Sequence, residues 1–177
     1  MTYTSGGMAN EATPKKKRPW WRTAIELGVI LAIFFCFRAW QQRDAPRGEA
    51  PALSATTLRG EAVDLAGIDE PVLVHFWATW CGVCAAEEGN IDAIAEDHRV
   101  ITVASQSGPP LQVARYVQSR GLGFPVVNDS SAAIAHLWGV HAFPTSFVVD
   151  PDGQIRSVEV GYTSTFGLRA RLWMAGL

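Results

Sequence analysis

Apolar positions change their spacing several times along the chain, and each change marks an element. Residues 2–13 are polar and turn-rich without apolar periodicity, which predicts a mobile tail. The uncharged run LGVILAIFFCF, Leu27 to Phe37, comes after the basic cluster Lys15, Lys16, Lys17 and Arg18. Further on, Val72 to Trp77 and Val100 to Ala104 are dense apolar runs closed by turn residues, the pattern of strands covered on both faces. Ala85 to Asp97 has helical composition with Ile91, Ile94 and Ala95 on one face, and Leu111 to Arg120 predicts a second helix ended by Gly121. Leu53 to Leu65 reads as a short hairpin around Arg59-Gly60-Glu61, Phe124 to Val127 as a short strand and Ala132 to Trp138 as a short helix. Ser146 to Asp150 and Ile155 to Val160, joined by Pro151-Asp152-Gly153, predict a second hairpin, and Thr163 or Ser164 caps a last helix ending near Met174. This order predicts an α/β layer structure with a mixed sheet.

The amino-terminal run of 11 uncharged residues is too short for a bilayer core, whereas Trp20 to Trp40 is 21 residues. As a helix that stretch is about 31 Å long, enough to span if Arg22 and Arg38 snorkel and Glu26 lies near the headgroups. Tryptophans at both ends suit the two interfaces. A cleaved signal peptide is the competing reading, but Phe37-Arg38-Ala39 puts bulky residues where a cleavage site needs small ones. Cys36 follows Phe35 and reads as a small apolar residue of the span. Five basic residues before the run face three after it, so the amino terminus is expected inside and the remainder exported. The expected organisation is residues 1–19 as a cytoplasmic basic tail, 20–40 as a transmembrane signal anchor, 41–52 as a Pro- and Gly-containing tether, and 53–177 as the folded domain.

Composition narrows the function classes. With 48% hydrophobic and 18% charged residues in 177, the chain can bury one core of normal size and is not disordered. Residues 51–177 carry 7 basic and 13 acidic side chains, a net of −6, which argues against a nucleic-acid partner. Three cysteines are too few for a disulfide-stapled scaffold.

Two of the cysteines form the C-x-x-C sequence Cys81-Gly82-Val83-Cys84, placed where a buried strand turns into a helix. There the unpaired backbone N–H groups and the helix dipole favour a negative sulfur on Cys81, the expected nucleophile. Cys84 lies one turn deeper on the same face, within disulfide reach, as the expected resolving thiol. A zinc site is the first alternative, but His136 and His141 lie 51 residues or more beyond Cys84 instead of the usual dozen or so. A purely structural disulfide is the second, and so short a loop removes little unfolded-state entropy.

The run Val72-Leu73-Val74-His75-Phe76-Trp77-Ala78-Thr79-Trp80-Cys81-Gly82-Val83-Cys84, together with Phe143-Pro144-Thr145, resembles the two signatures of thioredoxin-like proteins. Specifically, it is similar to the membrane-anchored TlpA, ResA and DsbE type of protein disulfide oxidoreductase, including the copper-sensitivity-suppressor branch. The resemblance covers about residues 53–177. It implies a thioredoxin fold with a mixed central sheet flanked by helices, an extracytoplasmic domain, dithiol/disulfide exchange and no bound cofactor. It also implies that Pro144 is a cis-proline beside the cysteine pair, with Phe143 offering main-chain groups to an extended substrate. Trp80, Gly82 and Val83 frame the pair.

Glu87 stands where the family often has an acid near the site and is either a proton handler for Cys84 or a solvated helix charge. Gly89 replaces a frequent helix-kinking proline. His75 takes the place where thioredoxins proper have a buried acid; it is either a proton relay or a hydrogen-bonded core histidine. His141 borders the proline motif, and His98 and His136 read as ordinary surface or helix residues. The uncharged Gly82-Val83 spacer favours a reductase, which needs a membrane thiol-electron donor, of DsbD type by family analogy. Disulfide-containing periplasmic proteins are the expected substrates. A copper-binding chaperone using the same pair and a non-catalytic docking module are the competing functions.

Overall fold

The structure, a computed structural model, describes residues 25–33 and 48–177. Residues 25–33 are helical (α1) and belong to a unit ending at Ala39, separate from the unit of Trp40–Leu177. The expected tail at 1–19, the ends of the expected span at 20–24 and 34–40, Cys36, and the tether up to residue 47 lie outside the described residues. Among the described residues no helix is long and apolar enough to cross a membrane.

The second unit runs β1 (Gly48–Glu49), β2 (Ser54–Thr56), β3 (Ala62–Asp64), β4 (Val72–Trp77), α2 (Gly82–Ala95), β5 (Arg99–Ser105) and α3 (Pro110–Arg120). It continues with β6 (Val126–Asp129), α4 (Ala133–Leu137), β7 (Thr145–Val149), β8 (Gln154–Val160) and α5 (Thr165–Ala175). Six strands form one mixed sheet in the order β1-β8-β7-β4-β5-β6; β4, β5 and β6 are parallel, while β7, β8 and β1 join antiparallel. The hairpin β2–β3 is a separate two-stranded sheet.

The reason β4 sits in the middle is visible in its composition: all six residues, VLVHFW, are buried. Alternate residues serve opposite layers. Val72, Val74 and Phe76 pack with Ile101, Val103, Trp138, Val140 and Phe147. Leu73 and Trp77 pack on the other face with Ile91, Ile94, Val113, Leu168 and Leu172 from α2, α3 and α5. Gly121 ends α3 in the left-handed conformation (φ 67°), and its N–H caps Val117 and Gln118 carbonyls. Ser164 caps α5, its side chain accepting from Gly167 N–H.

One stretch departs from the expected organisation. Gly48 and Glu49, read from sequence as part of the 41–52 tether, pair with Ile155 and Gln154 as an edge strand, and Ala50 N–H donates to Gly153 O at 2.8 Å. Leu53 is already core. Backbone pairing to an existing edge needs no apolar alternation, so such a strand leaves no periodic trace.

Candidate active site

Strand register brings three separated segments to the carboxyl end of β4. Directly after β4, the turn Ala78-Thr79-Trp80 leads to Cys81, the N-cap of α2 (φ −87°, ψ 108°). Antiparallel pairing of Phe76 with Thr145 sets Phe143 and Pro144 beside that turn, and the Phe143–Pro144 peptide is cis. Parallel pairing of Trp77 with Ala104 sets the loop after β5 on the opposite flank. There Thr79 N–H donates to Ser107 Oγ at 3.0 Å, and Trp80 Nε1–H donates to Gln106 O at 2.9 Å. Gln106 itself is in the left-handed region (φ 52°), uncommon for a residue with a side chain.

Cys81 and Cys84 are joined in a disulfide with Cα atoms 5.2 Å apart. The Cys84 N–H donates to Cys81 Sγ at 3.1 Å, so a sulfur occupies the place of the hydroxyl or carboxylate oxygen usual at a helix start. Phe143 O lies 3.6 Å from the same sulfur. Cys81 is 8% exposed and Cys84 2%, so both are more covered than an open thiol, with Cys81 the more accessible. Around it Gly82 is exposed, as are Trp80 (63%) and Val83 (48%). Trp80 meets Phe143 edge to face, ring centroids 5.8 Å apart.

Glu87 is not a solvated helix charge. It follows Cys84 by one turn on α2, which runs through Gly89 without interruption. Its side chain is fully buried; Oε1 accepts from Thr163 N–H at 3.0 Å, while Oε2 has no partner. Burial pushes its pKa up to about 7, against the opposing pull of the Thr163 hydrogen bond. The loop carrying Thr163 is itself tied to α2, because Asn90 Nδ2 donates to Tyr162 OH (3.1 Å) and Thr163 O (3.0 Å).

His75 is buried, with Nδ1 2.8 Å from Ser146 Oγ, its cross-strand partner on β7. Burial takes its pKa down to about 3, so it stays neutral through the physiological range, the arrangement of a hydrogen-bonded core histidine. His141 and His136 are exposed and line a cavity with Trp80 and Phe143. Among the described residues no group of three or more His, Cys, Asp or Glu side chains could hold a metal ion.

Sequence reasoning did not single out Gln106, Ser107, Ser146 or Glu88, and it read Thr163 only as a candidate helix cap, not as the partner of Glu87. Glu88 is buried between α2 and α3, accepting from Tyr116 OH and from Arg120 Nε (2.9 Å). Its i+1 position after Glu87 gave no signal, since a pair of acids on a helix ordinarily faces solvent.

The model of the AhpC/TSA family matches residues 46–158, more than half of the chain. A thioredoxin-like protein of Haemophilus influenzae is 33% identical over 87% of this chain and 93% of its own length. The thiol:disulfide interchange protein DsbE of Xylella fastidiosa is 30% identical over 73% of each chain. Among solved structures, a thiol:disulfide interchange protein of the thioredoxin family from Chlorobium tepidum superposes with TM-score 0.63 at 26% identity, covering 75% of this chain and 98% of that one. With a cysteine pair at the head of α2 and a cis-proline loop against it, the chain belongs to the thioredoxin-like AhpC/TSA family and is a thiol-disulfide oxidoreductase of the ResA and DsbE type.

Proposed function

We propose that this protein is a membrane-tethered reductase of disulfides in exported proteins, with Cys81 as nucleophile and Cys84 as resolving thiol. The observation that carries the assignment of roles is the capping geometry: the Sγ of Cys81, the more exposed of the two cysteines, receives the Cys84 N–H at the amino end of a helix of 14 residues. A helix start favours negative charge, so the same N–H groups stabilise a Cys81 thiolate in the reduced protein.

The exchange then proceeds in two displacements. The Cys81 thiolate attacks one sulfur of the partner disulfide; the partner's S–S bond breaks, its electron pair leaves with the second sulfur, and that sulfur takes up a proton. Cys84, deprotonated, next attacks Cys81 Sγ in the mixed disulfide, forming the Cys81–Cys84 bond and releasing the other partner sulfur as a thiolate that is protonated. Two electrons pass from the dithiol to the partner, and the disulfide form described above is the spent enzyme. Glu87, buried one turn beyond Cys84 with a pKa near 7 and an unpartnered oxygen, is the base that accepts the Cys84 proton. His75, held neutral and paired with Ser146, supports the strand and carries no proton.

Direction follows from what surrounds the nucleophile. The Gly82-Val83 spacer supplies no charge or imidazole to stabilise the thiolate further, and a weakly stabilised thiolate gives a reducing couple. Such a reductase needs electrons from a membrane thiol donor of DsbD type. Residues 20–40 supply the membrane anchor, and the excess of basic residues at its amino-terminal side directs the domain to the periplasm.

Full-length protein supplied with a dithiol donor is expected to reduce insulin, with a reduction potential below about −200 mV. A value near −120 mV, the range of strong oxidants, overturns the reductive direction. For topology, a reporter active only outside the cytoplasm, fused after Leu177, is expected to be active; activity of a cytoplasm-only reporter at the same position contradicts the tether assignment.

A further inference from the structure

Helix α5 is apolar on two opposite sides. Leu168, Leu172 and Ala175 are buried in the core. With about 3.6 residues per turn, Phe166, Ala170, Trp173 and Met174 fall on the other side, and Leu177 follows them. Phe166 is 83% exposed and Trp173 67%, and Met174 and Leu177 are exposed as well. The two rings alone leave on the order of 300 Å² in water, already the size of the largest apolar patch on many monomers. Elsewhere in the domain, Leu111 and Leu137 are exposed on α3 and α4, while Trp80 and Val83 rim the cysteine pair. A helix apolar all round is ordinarily covered all round, and this one is open along one side.

The place of the stripe in the fold identifies its cover. Val72, the first residue of β4, pairs with Val149 at the end of β7, so the turn into β8 lies at the end of the sheet opposite Cys81. Ala50 N–H donates to Gly153 O in that turn and Glu49 pairs with Gln154, so the chain enters the domain there. The carboxyl end of α5 is at the same end: a Cβ on Gly176 would stand 3.3 Å from Cγ of Pro71, the residue before β4. Cys81 comes after the other end of β4, whose six residues span roughly 20 Å. Seven residues, 41–47, separate Gly48 from Trp40, where the expected span ends, and a chain of that length reaches under about 30 Å. The bilayer surface is therefore within reach of the end at which Trp173 and Met174 are exposed. Tryptophan and phenylalanine suit that interface. The charged side chains of α5 are Arg169 and Arg171, paired with Asp97 and Glu159, so the helix itself sets no carboxylate against lipid phosphates. A second copy is the weaker occupant, because a stripe one helix face wide falls short of the roughly 800 Å² per partner of a stable dimer.

We infer that the exposed side of α5 docks on the phospholipid surface to which the chain is tethered, as an interfacial helix. Trp173, Met174 and Leu177 make the contact and Phe166 prolongs it two turns up the helix. The inference rests on the anchor reading and adds an orientation: the cysteine pair is held at the end of the sheet away from the anchored end, open to exported polypeptides.

The test uses full-length protein in vesicles of phosphatidylethanolamine and phosphatidylglycerol, with or without bromine on the acyl chains as a contact quencher of indole fluorescence. Trp173 emission is read as the difference between wild type and Trp173→Phe. It is expected to fall at least about twofold in brominated vesicles, since an interfacial helix sinks its apolar face roughly 5–10 Å. Trp80 emission, read in the same way with Trp80→Phe, is expected to be unchanged. Met174→Glu/Leu177→Glu is expected to abolish the quenching of Trp173 while insulin reduction, the check that the fold is intact, persists. Protein that floats with the vesicles while Trp173 is unquenched overturns the docking and leaves the anchor standing. Protein that separates from the vesicles overturns the anchor reading and the docking with it. A dimer in detergent that the double glutamate variant dissociates assigns the stripe to a second copy and also overturns the docking.

Discussion

On one face of β4, Val72, Val74 and Phe76 enter a cluster in which Phe76, Trp138 and Phe147 meet at centroid distances of 5.1 to 5.7 Å. On the other face, Leu73 and Trp77 share their layer with His75 and with the helix that carries Cys81, Cys84 and Glu87. Both faces exclude water, but they spend that exclusion differently. The first is a close-packed aromatic layer whose visible polar defect is Trp138 Nε1, buried without a partner. The second buries an acid whose Oε2 is unpartnered and an imidazole kept neutral, arrangements that cost stability unless something is gained from them. The contrast teaches that the aromatic face serves packing, while the helix-covered face carries buried ionisable groups whose cost the proposed role of Glu87 as base for Cys84 would offset.

That division can be broken deliberately. Cys81→Ser is expected to drop insulin reduction to the uncatalysed rate while leaving the urea midpoint of the reduced protein within about 1 kcal/mol of wild type. Phe147→Ala should do the reverse. It is expected to cost about 3–5 kcal/mol in urea unfolding, the range for deleting a buried aromatic ring, yet to change turnover per folded molecule by less than about twofold. A large loss of activity in folded Phe147→Ala protein would mean that the two faces are coupled.

The buried titratable pair sharpens the comparison through pH. Glu87 is raised from 4.5 to about 7, so between those values the native state keeps a proton that the unfolded chain has released. Stability therefore falls as pH rises through that window, and Glu87→Gln is expected to remove the slope. By pH 7 to 8 the variant should be more stable by on the order of 2–3 kcal/mol, and its rate of mixed-disulfide resolution should lose its dependence on pH near 7. His75 acts with the opposite sign. Its pKa is lowered from 6.5 to about 3, so the unfolded chain takes up a proton that the native state refuses, and stability falls as pH drops below 6.5. His75→Gln is expected to flatten that acid limb, a difference of roughly 2 kcal/mol at pH 5 in denaturant titrations. An unchanged limb would place the acid sensitivity elsewhere.

Much of this architecture is legible in the sequence because the core announces itself by pattern. The apolar run from Val72 to Trp77 coincides with β4, and the Pro151-Asp152-Gly153 turn joins β7 to β8. The cysteine pair is legible from spacing and context, and Phe143-Pro144 through the resemblance. What stayed hidden depends on pairing between distant strands. Ser146 faces His75 because β7 is antiparallel to β4 in one particular register, and Gln106 reaches Trp80 because β5 is parallel to it. Neither residue has a local pattern that says so. Glu87 was visible as a candidate but its burial was not, since that depends on the Tyr162–Thr163 loop being fastened to Asn90.

The central claim is that Cys81 makes the mixed disulfide and Cys84 resolves it. The most direct test is full-length Cys84→Ser protein incubated with a disulfide-containing polypeptide, followed by non-reducing separation and mapping of the modified cysteine. The account predicts a stable adduct on Cys81 that a dithiol releases. No adduct, or an adduct on Cys36 alone, would contradict it.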